Sequence, residues 1–171
     1  MARAARFLGW GAGLLAVAVF AIYALGPIDA FPGMRLGGTP SDAPTRWSDV
    51  NDHDDIFIET EGVLPWVVRT WYSGMDDGLY VFAYRDARWR RRIDATPDAR
   101  VRIGDATFAV HAVAVDEEST NKAVGIAYRE KYSHYVDADE YGQAMAEAAE
   151  EVLDDARRGP VFQLLRLEAV K

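Results

Sequence analysis

Three patterns of apolar and polar positions follow one another along the chain. The first is unbroken: from Phe7 to Ile28 run 22 residues without a charge, FLGWGAGLLAVAVFAIYALGPI. A helix needs about 20 mostly apolar residues to cross a hydrocarbon core about 30 Å thick, so this stretch predicts one transmembrane helix. The second pattern is short β-branched and aromatic runs bounded by turn formers. It predicts strands over Ile56 to Thr60, Leu64 to Tyr72 and Leu79 to Tyr84, then ARVRIG (99–104), ATFAVHAVAV (106–115) and PVFQLLRLEAV (160–170). The turn chemistry of SGMDDG predicts a hairpin between the second and third strands, and Gly104-Asp105 predicts another between the fourth and fifth.

The third pattern has the helical period. STNKAVGIAYREKYSHY (119–135) puts Ala123, Ile126, Ala127 and Glu130 at helical spacing, with Ser119 or Thr120 as N-cap. DADEYGQAMAEAAEEVLDDARRG (137–159) starts at a capping Asp137 or Asp139, buries Tyr141, Met145, Ala148 or Ala149 and Val152, and stops at Gly159. Five strands, two helices and one strand make an α+β chain on a largely antiparallel sheet. The expected organisation is an anchor at 1–28, a Gly/Pro-rich flexible linker at 29–46 and a globular domain at 47–171.

Charge orients the anchor. Arg3 and Arg6 precede it, whereas the first charge after it is Asp29. The positive-inside bias then predicts a single-pass protein of the cell membrane, with its globular domain on the non-cytoplasmic side. The rival is a cleaved signal peptide, for which Ala21, Ala24 and Gly26 supply small residues. Against it, the apolar run exceeds the 7–15 residues of a signal core. The 171-residue chain has a net charge of −8, which argues against nucleic-acid binding, and no cysteine, which excludes disulfides and thiolate chemistry.

Candidate chemistry is sparse. DVNDHDD (49–55) places four carboxylates around His53 in a spacing that matches no metal loop, and reads as a solvated acidic turn. His111 sits in an alternating strand. The arginines stand apart: Arg85, Arg88, Arg90, Arg91, Arg92, Arg100 and Arg102 fall within eighteen residues, interrupted by Trp89. Guanidinium forks grip phosphate or carboxylate bidentately. Ion pairing with acids of the last helix or along a strand edge is the competing role.

LYVFAYRDARWRRRIDATPDARVRIG (79–104) resembles the split β-barrel proteins that bind FMN or the deazaflavin F420, which carry a strand, a loop, a tryptophan-led turn of helix and an A-[NT]-P-x-[AV]-x-V lead into the next strand. With Trp89, AYREKYSHY (127–135) and the terminal LLRLEAV strand, the chain resembles more closely a branch of that superfamily known as a domain of unknown function, DUF2255. The resemblance spans Trp47 to Val170. It implies a split β-barrel of about six strands with two flanking helices, preceded here by the transmembrane helix.

The resemblance also implies a site. In cofactor-binding members the loop before the tryptophan and the start of its helix cradle the phosphate, which maps onto Arg85, Arg88 and Trp89 with Arg90 and Arg91 beyond. The second strand, Val68 to Trp71 with Arg69, would lie beside the flavin ring, and Lys131 and Tyr132 would stand at the rim. The G-x-x-x-H-P wording before the tryptophan is replaced by RDAR, and the G-[KR]-x-R hairpin of the deazaflavin group has no counterpart. FMN or a related flavin is thus the implied cofactor, hydride transfer the implied chemistry and a homodimer the implied assembly. A non-enzymatic tethered module that has lost the cofactor is the alternative. Haem on His53, His111 or His134 is a third reading.

Overall fold

The computed structural model describes residues 13–21, 24, 26, 32–135 and 162–170. The expected helix over 137–158 and half of the apolar 7–28 segment lie outside them. Residues 13–21 are helical and exposed. Among the described residues no helix is long and apolar enough to cross a membrane.

Eight strands form one sheet: β1 (Thr39–Pro40), β2 (Asp55–Thr60), β3 (Trp66–Trp71), β4 (Ser73–Met75), β5 (Gly78–Tyr84), β6 (Asp98–Ile103), β7 (Ala106–Val115) and β8 (Phe162–Ala169). Two helices accompany them, α1 (Arg88–Ala95) between β5 and β6, and α2 (Glu118–Lys131) after β7. The strand order is β3-β2-β6-β7-β8-β5-β4, antiparallel throughout, with the short β1 lying parallel to β7. β3 and β4 stand at opposite ends of that order, yet only Tyr72 separates them in sequence. The sheet must therefore curl until its two ends meet at Tyr72, which makes it a barrel.

This arrangement corrects the expected first hairpin. The run from Leu64 to Tyr72 does not pair with Leu79 to Tyr84. Its body, β3, pairs with β2, and the chain beyond Tyr72 becomes β4, which pairs with β5. A run of β-branched and aromatic residues cannot reveal by composition that it serves two partners. The second expected hairpin forms as read, with Gly104 at φ +55° in its turn.

Alternation fills the barrel. Ile56, Ile58 and Thr60 of β2 point inward and are fully buried, and Val81, Val101, Val110, Leu165 and Leu167 meet them from four other strands. Across β7, Phe108, Val110 and Ala112 are buried while Ala109 and His111 are exposed, so only one face is core.

Residues 33–41 are no free linker. Gly33 and Val67 exchange backbone hydrogen bonds of 3.1 and 2.7 Å, the Leu36 amide donates to Glu59 at 3.2 Å, and the Ser41 amide donates to Thr107 O at 2.9 Å. Leu36 is buried. Gly and Pro content signals the lack of a regular period, but not whether the chain is docked.

The apolar stripe of α2 also differs from the expected one. Val124, Gly125 and Tyr128 are buried, whereas Ala123, Ile126 and Glu130 are exposed. Two tyrosines four apart outweigh the smaller alanines and rotate the helix toward themselves, because large aromatic rings dominate burial energetics. The helix starts after Glu117, whose carboxylate accepts from the hydroxyls of both Ser119 and Thr120.

Beneath Tyr72, the turn Trp47–Val50 leaves no room at Gly74. A Cβ there would overlap the Trp47 carbonyl, and Asn51 brackets the residue by donating to its carbonyl and accepting from its amide, both at 2.7 Å. Gly74→Ala should destabilise the domain by about 1–3 kcal/mol, the usual penalty of overpacking. Urea unfolding measures it; an unchanged midpoint would mean that this turn does not pack on β4.

Candidate functional site

Helix α1 carries four of the clustered arginines, and the structure divides their labour. Trp89 and Ile93, four apart, turn one helix face into the barrel core. Arg90 turns inward as well. It is buried, its guanidinium donates to Asp94 and to Gln163 of β8, and its Nε has no partner among the described residues. Arg92 reaches the β2–β3 loop and donates to the carbonyls of Glu61 and Leu64. On the sheet, Arg100 donates to Glu59, and Arg102 lies 4.5 Å from the Phe57 ring centroid. These four are consumed by the fold. The ion pairing weighed from sequence holds for Arg90 with Asp94 and for Arg100 with Glu59, whereas Arg92 meets backbone carbonyls and Arg102 an aromatic ring.

Three arginines are left outward. Arg85 and Arg91 are exposed with no ion pair among the described residues, and Arg88 is exposed with its guanidinium 4.8 Å from the Trp66 ring. They surround the start of α1, where Ala87 is extended and supplies no side-chain cap. The first amides of an uncapped helix point outward as free donors and carry the positive end of its dipole. Asp86 is the acid in this turn. Beside it stand two rings that sequence reading missed: Tyr84, exposed at the end of β5, and its cross-strand partner Phe162, with centroids 4.1 Å apart. Only the register of β5 on β8 brings them together, so no local motif announces the pair.

Arg85, Arg88 and Arg91 are the residues of the expected phosphate cradle whose guanidinium chemistry suits a phosphate and whose side chains stand outward, whereas Trp89 and Arg90 pack α1 against the barrel. Arg69 on β3 is ion-paired with Asp55, to which its Nε donates at 2.6 Å.

Lys131 and Tyr132 form a separate knot around Tyr72. The Tyr132 hydroxyl accepts from the Tyr72 amide at 3.0 Å and contacts the carbonyls of Tyr72 at 2.9 Å and Asp54 at 2.6 Å. The Tyr72 hydroxyl donates to Val50 O, and the Tyr128 hydroxyl bridges the carbonyls of Trp71 and Tyr80 at 3.0 and 2.9 Å. Trp71 stacks on Tyr132 at 4.5 Å. Lys131 Nζ donates to Tyr72 O at 3.0 Å and sits 3.3 Å from the Tyr72 ring centroid. Burial drives its pKa down to about 8 against the pull of Asp54, Asp52 and Asp55, and burial raises Tyr72, Tyr128 and Tyr132. The AYREKYSHY wording is thus a latch on the barrel's closing point.

His53, His111 and His134 stand on separate elements and are exposed. His111 Nδ1 is 2.7 Å from Asp98, and His134 Nδ1 is 3.0 Å from Lys131 O. Among the described residues no cluster of three metal-ligating side chains occurs.

A family model described as "Uncharacterized protein conserved in bacteria (DUF2255)" matches residues 47–153. No curated protein matches the chain. Among solved structures, the conserved hypothetical protein Rv2991 from Mycobacterium tuberculosis is similar at 16% identity and TM-score 0.53, over 77% of this chain and 86% of that one. ChuZ from Campylobacter jejuni is similar at 10% identity and TM-score 0.51, over 70% of this chain and 49% of ChuZ. Together with the antiparallel sheet described above, these likenesses show the fold to be a split barrel.

The lysine supplies a test of the latch. Its folded pKa of about 8 lies below the ordinary 10.5, so above pH 8 the unfolded chain binds the extra proton and stability rises with pH. The raised tyrosines reverse the sign once unfolded tyrosines ionise, near pH 10. Melting temperature should therefore climb between about pH 8 and 10 relative to Lys131→Met, in which this component is absent. Parallel profiles of the two proteins would refute a buried Lys131 amine.

Proposed function

The chain belongs to the DUF2255 family, and on that premise we propose that it is a membrane-anchored split-barrel domain that binds a phosphate-bearing, flavin-like ligand at the start of α1. One observation carries the reading. Of the arginines clustered in sequence, the fold consumes Arg90, Arg92, Arg100 and Arg102, while Arg85, Arg88 and Arg91 stay outward around an uncapped helix start. Charge-assisted donors on a rigid element suit a phosphate. The Tyr84–Phe162 pair offers an apolar ledge for a planar ring at the same turn.

A bound flavin would supply hydride chemistry, and this chain's residues would supply placement and electrostatics. Guanidinium groups hold the phosphate, and Trp89 and Arg90 fix the helix that presents them.

The anchor belongs to the same reading. It is supported by the uncharged run from Phe7 to Ile28 behind Arg3 and Arg6. It is supported also by Leu14, Leu15, Val17, Val19 and Phe20, which are 58–69% exposed and so call for an apolar surrounding. The domain then faces away from the cytoplasm. Protease added to spheroplasts should degrade the globular part, and membranes should retain the intact chain. A protected domain, or a mature chain starting beyond residue 20, would sink the anchored topology.

The ligand is tested by the visible spectrum of the purified chain and by FMN titration followed by fluorescence quenching. Arg85→Ala and Arg91→Ala should each weaken binding about tenfold, the worth of one charged hydrogen bond, with little change in melting temperature. Arg90→Ala should instead lower stability by about 1–3 kcal/mol, since Gln163 loses its buried partner. A colourless protein indifferent to FMN, with stability responding at Arg90, would favour the non-enzymatic module.

A further inference from the structure

The β2–β3 loop has the sequence EGVLP (61–65) and turns its apolar side chains outward: Val63 is fully exposed and Leu64 is 59% exposed. The tip is held firmly. Gly62 adopts φ +156°, and a Cβ there would run into the Arg92 guanidinium, which donates to the carbonyls on either side of the tip. Arg88 covers the Trp66 ring just beyond it. Arg88 and Arg92 are four apart and share one face of α1, so the helix grips the loop with two cations and leaves the apolar pair projecting. Arg91, also exposed, adds a third positive charge, while Glu61 and Asp86 are the acids of these two segments.

The amino-terminal chain leaves the barrel beside this loop. Its pin is the Gly33–Val67 pair, and Val67 lies three residues beyond Leu64. From Ile28 to Gly33 five residues can span at most about 18 Å. An apolar tip, a basic collar and the exit toward the uncharged segment thus lie at one end of the molecule.

We infer that the 61–65 tip is a second membrane contact, in which Val63 and Leu64 enter the headgroup zone of an anionic bilayer and the positive charge of Arg88, Arg91 and Arg92 around them attracts the lipid phosphates. The inference rests on the anchored reading above. A wedge of two side chains binds weakly alone, but an anchor ending nearby makes the second contact intramolecular. The collar selects anionic over zwitterionic lipid, because each cation near such a surface strengthens binding about fivefold.

The chain has no cysteine, so Val63→Cys gives a single site for a polarity-sensitive fluorophore, with Ala109→Cys on the exposed face of β7 as reference. The full chain is reconstituted in vesicles of phosphatidylcholine with one quarter phosphatidylglycerol, containing a spin-labelled quencher lipid. Quenching at position 63 should exceed that at position 109 at least about threefold, and should fall in pure phosphatidylcholine and with Arg91→Gln. Carbonate washing reports on the anchor separately. Equal quenching at both positions in a wash-resistant chain overturns the tip contact and leaves the anchor standing. Strong quenching at position 63 in a chain that washes off overturns the anchor and upholds the tip. A chain that neither stays nor is quenched refutes both.

Discussion

One backbone residue closes this barrel. At Tyr72 a single extended run passes from one edge of the sheet to the other, so its amide and carbonyl belong to neither ladder and would be buried without partners. The Tyr132 hydroxyl answers the amide, and Lys131 Nζ with the same hydroxyl answers the carbonyl. An unsatisfied buried peptide group costs roughly as much as a substantial core truncation, so closure and the docking of α2 are one event. The aromatic stack of Trp71, Tyr132 and Tyr135 then follows, as does the position of the acidic 50–55 turn, whose Asp54 carbonyl and carboxylate bind the same tyrosines.

Closure at Tyr72 also explains why α1 can present charge. With the sheet curled, the helix after β5 has one side to bury, and Trp89 and Ile93 take it. Arg90 is drawn in beside them because Asp94 and Gln163 are there to receive it. What remains outward at the helix start is determined by subtraction. An acidic chain can thus hold a local positive surface, since screening confines the influence of distant carboxylates to about a Debye length.

Much of this was legible in the order of residues. The strand over Ile56 to Thr60 and the Gly104 turn read correctly, because each is decided by neighbours within a few positions, and the tryptophan-led helix is the one the family resemblance implied. The split of one strand between β2 and β5 was not legible, nor was the docking of residues 33–41, since both depend on edges made elsewhere. The seven arginines looked like one feature and are two. Their separation turns on Asp94, Gln163, Glu59 and two loop carbonyls, of which only Asp94 is near in sequence. Lys131 and Tyr132 were expected at the rim of the ligand site and stand instead at Tyr72, where their partner is backbone, which a sequence does not display.

The position of β8 bears on how such a chain comes into being. It follows every other described strand in sequence, and among the described strands it alone joins the β7 side of the sheet to the β5–β4 side by backbone pairing. Until a ribosome has delivered residues 162–169, the nascent polypeptide holds two sheet fragments with unsatisfied edges and no closed core. Formation of the barrel is thereby tied to the arrival of its last-made strand, whatever the order in which the earlier strands pair.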